Sequence, residues 1–175
     1  MADYPHHLVR QRVLLDGTQV TIRPIRAEDS GMEQDFVRHL SDDSRRFRFM
    51  ASLRELPPNK LKAFTEIDYN RHMAFVATIV QEGREIEIGV ARYVAVGKDG
   101  ACEFAIVVDD AWQGRGVAGL LMIALEDAAR AHGLKSIKGI VLSNNDKMLK
   151  FARRCGFKSH SNPGERDTVY IELQL

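Results

Sequence analysis

The chain has 175 residues, of which 45% are hydrophobic and 28% charged, with 25 basic against 24 acidic side chains. That length suits one domain with a single sizeable core. The near-cancelled charge excludes a molecule drawn as a whole toward nucleic acid or a membrane surface. Residues 13–15 and 20–24 read as two short strands about the turn Asp16-Gly17. Asp29 or Ser30 is placed to cap a helix running to about His39, with Met32, Phe36, Val37 and Leu40 along its apolar stripe. Ser41 restarts the chain into a second short helix, Pro57-Pro58 breaks it, and 61–67 resumes as a third. Three apolar runs then follow, at 73–80, 85–96 and 102–108, joined by Glu82-Gly83-Arg84 and Gly97-Lys98-Asp99-Gly100. Such closely joined runs predict an antiparallel meander.

From Val117 the period changes. Leu120, Leu121, Ala124, Leu125 and Ala128 mark one face of a helix that Gly133 ends. A strand at 137–142, a helix at 146–154, and a last strand with Val169, Ile171 and Leu173 alternating against Tyr170 and Glu172 complete the chain. A meander followed by strand–helix–strand units predicts an α/β (α+β) domain on a mixed sheet. No repeat or linker divides it, so a single domain over 1–175 is expected.

Cys102 and Cys155 lie far apart among apolar neighbours, and the six histidines show no paired ligand spacing. Buried reduced thiols and no metal are the expectation. No apolar run suits a leader or a membrane span, which points to a cytoplasmic location.

The segment from Glu103 to Gly119 carries the sharpest chemistry. Gly114 and Gly116 sit in a turn between a strand and a helix, and the first amides of that helix have no intrahelical partner. Those donors, with the positive end of the helix dipole, suit a pyrophosphate, and Arg115 could add charge. A Gly-rich turn also serves geometry alone in many proteins. It is not a Walker loop, since no Gly-Lys-Ser/Thr follows. Gly114, Gly116 and Gly119 fit GxGxxG, yet the preceding meander is not a dinucleotide-binding half-domain.

Gln113-Gly114-Arg115-Gly116-Val117-Ala118 resembles the Q/R-x-x-G-x-G/A signature of the GNAT acetyltransferases, after a strand and opening the long helix. Ile22-Arg23-Pro24-Ile25-Arg26-Ala27-Glu28-Asp29 is similar to that family's opening segment. Asn145 with Phe151-Ala152-Arg153-Arg154-Cys155-Gly156-Phe157 is similar to its close. Tyr4-Pro5, Asp16-Gly17, Leu40-Ser41 with Ser44, Arg48-Phe49 and Glu103-Phe104-Ala105-Ile106-Val107-Val108 resemble the bacterial Pat-type protein-lysine acetyltransferases.

The resemblance implies a mixed, mostly antiparallel sheet flanked by helices and splayed into a V between the strands at 102–108 and 137–142, the family's fourth and fifth. It implies acetyl-CoA as co-substrate, with its pantetheine arm on the backbone of Ile106, Val107 and Val108. The pyrophosphate falls to the turn Gln113, Gly114, Arg115, Gly116, Val117, Ala118 and Gly119. Asn145 and Phe151 are further cofactor contacts by the same resemblance, although Asn145 also suits a helix cap and Phe151 the core. Glu103 is the implied general base. Lysine's free pKa is about 10.4, so attack on a thioester needs a group that takes its proton. Partial burial among Phe104, Ala105 and Ile106 would tune that carboxylate. Taken alone, a strand carboxylate is more often a structural partner on a solvated face.

Ala152 stands where many of these enzymes carry a tyrosine that protonates the leaving thiolate, so no general acid is named. Neither cysteine has a neighbouring histidine, which favours direct attack in a ternary complex. The implied acceptor is a primary amine, first a protein lysine. A small amine or a non-catalytic acyl-CoA sensor is the alternative, and oligomeric state is left open. His72 is expected at the surface, and Arg45, Arg46 and Arg48 on a solvated face, with an acidic partner or cofactor phosphates as the other reading.

Overall fold

The apolar runs of the middle third become the centre of the sheet in a computed structural model that describes residues 2–175. They form β3 (His72–Gln81), β4 (Arg84–Val96) and β5 (Ala101–Val108), preceded by β1 (Arg10–Val13) and β2 (Gln19–Pro24). With β6 (Ser136–Leu142), β7 (Lys158–Ser161) and β8 (Thr168–Gln174) they make one sheet in the order β1-β2-β3-β4-β5-β6-β8-β7. Every neighbouring pair is antiparallel except β5 and β6. This is the mixed, mostly antiparallel sheet that the sequence implies, flanked by five α-helices. Among the described residues no helix is long and apolar enough to cross a membrane.

Helix α4 (Val117–Ala131) buries Val117, Leu121, Met122, Leu125, Ala128 and Ala129 against one face of the sheet. Shorter α5 (Asp146–Arg154) joins the same face through Ala152. The other face carries α1 (Ser30–His39), α2 (Asp42–Phe49) and α3 (Pro58–Thr65) over Ala74, Val76 and Val90. Helix α3 begins three residues earlier than the periodicity suggests. Pro58 is at the helix start, where its fixed φ and missing N–H are tolerated. Strand β1 also begins earlier than expected, and Leu15 lies fully exposed in the turn that follows.

The parallel ladder between β5 and β6 is short. It pairs Ala101 with Ser136, Cys102 with Ile137 and Glu103 with Lys138, and then stops. Beyond it the strands part into the implied V. A Cβ on Gly139, the next β6 residue, would lie 2.6 Å from Cε1 of Phe104. That ring is held from behind by Phe157, at 5.1 Å between centroids. Gly139 therefore gives the Phe104 ring its seat just past the last rung. Gly89 does a related service on β4, where a Cβ would meet Leu121 Cδ1 at 3.0 Å. Its bare backbone lets α4 lie close on the sheet.

A buried polar network runs between the sheet and the α1–α3 layer. Arg23 makes a two-pronged bond to Asp29, both contacts 2.8 Å, and reaches Glu85 at 2.6 Å. Asp29 also accepts from the Arg26 amide at 2.9 Å, so its carboxylate is committed to this corner and does not cap α1. Arg45, expected in solvent, is buried and donates to the carbonyls of Val37, Arg38 and Leu40, closing the C-terminal end of α1.

Deeper in, Arg92 donates to Glu33 Oε1 at 3.2 Å and to Phe64 O at 3.0 Å. Burial, and then the charge on Glu33, push the Glu87 carboxyl well above the usual carboxylate range. A neutral Glu87 can donate to Glu33, whose Oε2 has no other partner. His72, expected at the surface, is half-buried with Nε2 at 3.2 Å from Arg92 Nη1. Burial and the facing guanidinium lower its pKa to about 4, so the ring is neutral and accepts from Arg92.

Two outcomes follow from this packing. Gly139→Ala forces the Phe104 ring against Phe157 and should cost about 1–3 kcal/mol of stability; an unchanged urea midpoint would show the seat to be loose. His72 has a folded pKa below its unfolded value, so the unfolded chain binds the extra proton. Its contribution is fully present above about pH 6.5 and is lost as pH falls toward the folded value of about 4. Urea midpoints at pH 7.5 and 5.0 should therefore drop further for the native chain than for His72→Gln; equal drops would remove the histidine from the acid response.

Candidate active site

The V is the floor of a cleft of about 1340 Å3. Its walls come from β5, β6, α2, α5 and the turn that opens α4. The phase of β5 decides what that floor offers. Asp109 donates from its amide to Ile88 O on the β4 side at 2.8 Å, whereas Gly100 O accepts from Lys135 N–H on the β6 side at 2.7 Å. Backbone groups alternate along an antiparallel strand, so odd-numbered β5 residues bond β4 and even-numbered ones face β6. Where the ladder with β6 has stopped, the edge groups of Phe104, Ile106 and Val108 face the cleft. Val107 departs from the expectation for a cofactor contact. Its backbone belongs to β4, and only its side chain reaches the wall, from the α1–α3 side.

Past β5, Asp109 caps a short turn through the Ala111 amide at 2.9 Å. Gly114 and Gly116 take φ of +77° and +95°, conformations open to glycine and strained for other residues. These values lift the chain over the start of α4. The first helical bond there runs from Leu120 N–H to Gly116 O at 3.3 Å, leaving the amides of Val117, Ala118 and Gly119 without a helical acceptor. Gly114, Gly116, Ala118 and Gly119 all line the cleft. Val117 is a core residue at 1% exposure, and only its amide is available.

Arg115 lies outside the cleft. Its guanidinium stacks on Trp112 at 4.6 Å and pairs with Asp16 at 3.6 Å, so it braces the turn from behind. The Gln113 side chain is likewise occupied. It donates to Val108 O at 3.1 Å and accepts from Lys147 Nζ at 3.5 Å, a strut from the end of β5 to α5.

Asn145 caps α5, as expected, by accepting from the Met148 amide at 3.2 Å, and it also lines the cleft. Phe151 packs on the core and also lines the cleft. The composition of α5 adds a further feature. Lys147, Lys150, Phe151 and Arg154 follow the spacing i, i+3, i+4, i+7 and all four line the cleft. This basic stripe faces the free amides of α4 and suits the phosphates of a large anionic ligand. Cys155 lines the same wall instead of being buried. Burial, then Glu126, raise its thiol, and burial lifts the Cys102 thiol to about 12.

Glu103 sits at the vertex of the V, on the last rung of the ladder. Its side chain is on the face covered further along by α1–α3, in one cross-strand row with Val94 and His72. The expected partial burial is not there: Glu103 is exposed, because neither α2 nor α3 extends over this end of β5. It makes no ion pair or side-chain hydrogen bond among the described residues, so the structural pairing weighed for it is not present. On the opposite wall, Ser41 and Ser44 donate to Asp110, at 3.0 Å from the Ser41 amide and 2.8 Å from each hydroxyl. Burial by itself would raise the Asp110 carboxyl, but these donors outweigh it and hold it low. They tie the start of α2 to the end of β5.

The residues present fit acetyl-CoA: a free strand edge for an amide-bearing arm, free helix amides and a basic stripe for phosphates, and a cleft large enough for both. Among the described residues no cluster of metal-ligating side chains occurs.

Comparison with known proteins agrees. Residues 35–157 match the model of the acetyltransferase (GNAT) family. The chain is 36% identical over 160 residues to the acetyltransferase PA5475 of Pseudomonas aeruginosa, covering 91% of this chain and 86% of that protein. It is 33% identical over 111 residues to acetyltransferase Pat of Mycolicibacterium smegmatis, 63% of this chain and 33% of that longer protein. The crystal structure of the GNAT domain of S. lividans PAT superposes with a TM-score of 0.89 at 30% identity, covering 99% of this chain and all of that one. With the family model, the relatives and the fold in agreement, the chain belongs to the acetyltransferase (GNAT) family and is an N-acetyltransferase.

Proposed function

We propose that the enzyme moves an acetyl group from acetyl-CoA to the side-chain amine of a protein lysine, with Glu103 as general base. The observation that carries this reading is the position of Glu103. It is an unpaired carboxylate at the vertex of the V, one residue from the point where the β5 edge becomes free. Acetyl-CoA supplies an acyl group already activated as a thioester. The amides of Val117, Ala118 and Gly119, together with Lys147, Lys150 and Arg154, hold its phosphates, and the edge groups of Ile106 with the amide of Val108 hold the arm. An edge N–H at this position donates to the thioester carbonyl oxygen and stabilises the charge that develops there.

The acceptor amine approaches from the open face beside Glu103. As its nitrogen bonds the carbonyl carbon, the carbon–sulfur bond breaks, the sulfur leaves with the electron pair, and Glu103 takes the amine proton directly or through one water. Ala152 stands buried at the position where a tyrosine acid would reach the thiolate, so the thiolate leaves without help from that side chain. The raised thiols of Cys102 and Cys155 support direct transfer, since a protonated thiol is a poor nucleophile. A protein acceptor is favoured by the resemblance of the sequence to the Pat-type protein-lysine acetyltransferases, and by the exposure of Glu103 at the vertex, which admits a lysine carried on a large partner. The two free thiols suit the reducing cytoplasm.

The test follows isotopically labelled acetyl-CoA into a lysate of the source cell, with the native enzyme and Glu103→Gln in parallel. Label is expected on protein lysines, and the variant should lose about 100-fold or more in turnover while keeping its affinity for acetyl-CoA. Label on a small amine would replace the acceptor and keep the chemistry. Undiminished turnover in Glu103→Gln would take the base role from this residue. Tight binding with no transfer at all would make the chain an acyl-CoA sensor.

A further inference from the structure

Arg48 stands in the last turn of α2, half-buried, in the wall of the cleft. Its Cζ lies 4.7 Å from the centre of the Phe49 ring and 5.6 Å from that of Phe64. Lys60 Nζ approaches the same two rings at 5.2 and 5.6 Å. Arg92 covers Phe64 at 4.0 Å. Three cations thus gather about two rings. Glu33 balances Arg92, and Glu87, the other acid nearby, is held neutral. Arg48 has no ion-pair partner and no hydrogen-bond acceptor among the described residues. Burial and the facing Arg92 both push its pKa down, as expected of a cation short of acceptors.

The surroundings fix where this charge lies along the cleft. Ser44, one turn earlier, is tied to Asp110 beyond the end of β5. Arg92, which shares Phe64 with Arg48, pairs across the sheet with Ala105. Helix α2 therefore runs back along β5 and delivers Arg48 to the level of Ala105, two residues from Glu103. A guanidinium offers five donors in a planar fork that matches a carboxylate. Stacking on aromatic rings replaces only part of the hydration it gives up.

We propose that Arg48 anchors a carboxylate at the reacting end of the cleft, so that the enzyme selects substrates bearing a free acid a few atoms from the bond being made. The assignment rests on the acyl-transfer reading above and narrows its substrate class. The acid has two possible sources: the far end of a dicarboxylic acyl chain, or an acidic side chain beside the acceptor lysine. The bonds made and broken are those already described, and the carboxylate leaves the reaction unchanged.

Two pairs of substrates separate the sources. With one lysine peptide as acceptor, kcat/KM is measured for succinyl-CoA and for butyryl-CoA, which has a methyl group in place of the acid. With acetyl-CoA as donor, it is measured for peptides carrying Glu or Gln beside the lysine. The full chain, Arg48→Met and Arg48→Lys are compared. The acid-bearing member of one pair should be favoured by about tenfold or more. That ratio should fall to near unity in Arg48→Met and survive in part in Arg48→Lys, which keeps the charge and loses the fork. Arg48→Gln takes the place of the methionine variant if the latter does not fold. Equal rates within both pairs, or a ratio that persists undiminished in the uncharged Arg48 variant, overturns the proposal while leaving acyl transfer intact. Absence of transfer from every donor overturns the acyl-transfer reading and this assignment with it.

Discussion

A strand edge inside a protein must find partners for its amides and carbonyls, and most of this structure follows from how β5 meets that demand. Its first three residues are paired to β6. The next five give one edge to β4 and hold the other out to the cleft. An apolar filling would leave those groups unsatisfied, at a cost of about 1–3 kcal/mol for each buried one. The edge is tolerable because water reaches it in the free protein and an amide-bearing ligand can replace that water. Phe104 on its glycine seat and Leu121 against Gly89 bring β6 and α4 to the positions that frame this edge.

The two sides of the sheet meet different physical requirements. On the α4–α5 side the core is apolar, and the ligand-facing parts are helix ends and a basic stripe. On the α1–α3 side, arginines and carboxylates are interleaved with the core. A buried guanidinium with one acid removed would cost several kcal/mol. That makes Arg23, Asp29 and Glu85 a constraint on how β2, the start of α1 and β4 meet. The α2 wall is fixed at one end by hydroxyl–carboxylate bonds and at the other by stacked rings, so its catalytic-side residues stand on a braced element.

What the sequence disclosed divides along the same lines. The meander and the long helix were legible because their periodicities are local, and the turn from Gln113 to Ala118 was legible because glycine spacing at a strand–helix junction is local too. The V was visible only through likeness to a family, since no residue pattern marks where a parallel ladder stops. Arg45, His72 and Arg48 were read as surface groups from their polarity; each is drawn inward by carbonyls, a guanidinium or aromatic rings that are distant in sequence. Arg115 and Gln113 fall to the ligand by position in a motif, and the fold gives their side chains bracing partners that the motif does not announce. Glu103 was placed correctly on its strand, but its exposure depends on how far two helices reach, which nothing near it encodes. The stripe on α5 is the reverse case: its spacing is local and legible, and only the docking of α5 shows that it lines the cleft.

The alternation along β5 also limits how this enzyme can change over time. Side chains and edge groups both invert with every residue, so the identity of each position depends on a parity set by the turn at 97–100. Loss or gain of one residue between that turn and Glu103 would carry Glu103 to the opposite face and turn the amide of Ile106 from the cleft toward β4 in a single event. Substitutions in the walls can be accepted one at a time and can retune which acyl group or amine is used. Length changes in the strand cannot, and are confined to the loops at its ends. If Glu103 and the turn at Gly114 act as proposed, the spacing between them is the chain's reading frame for catalysis.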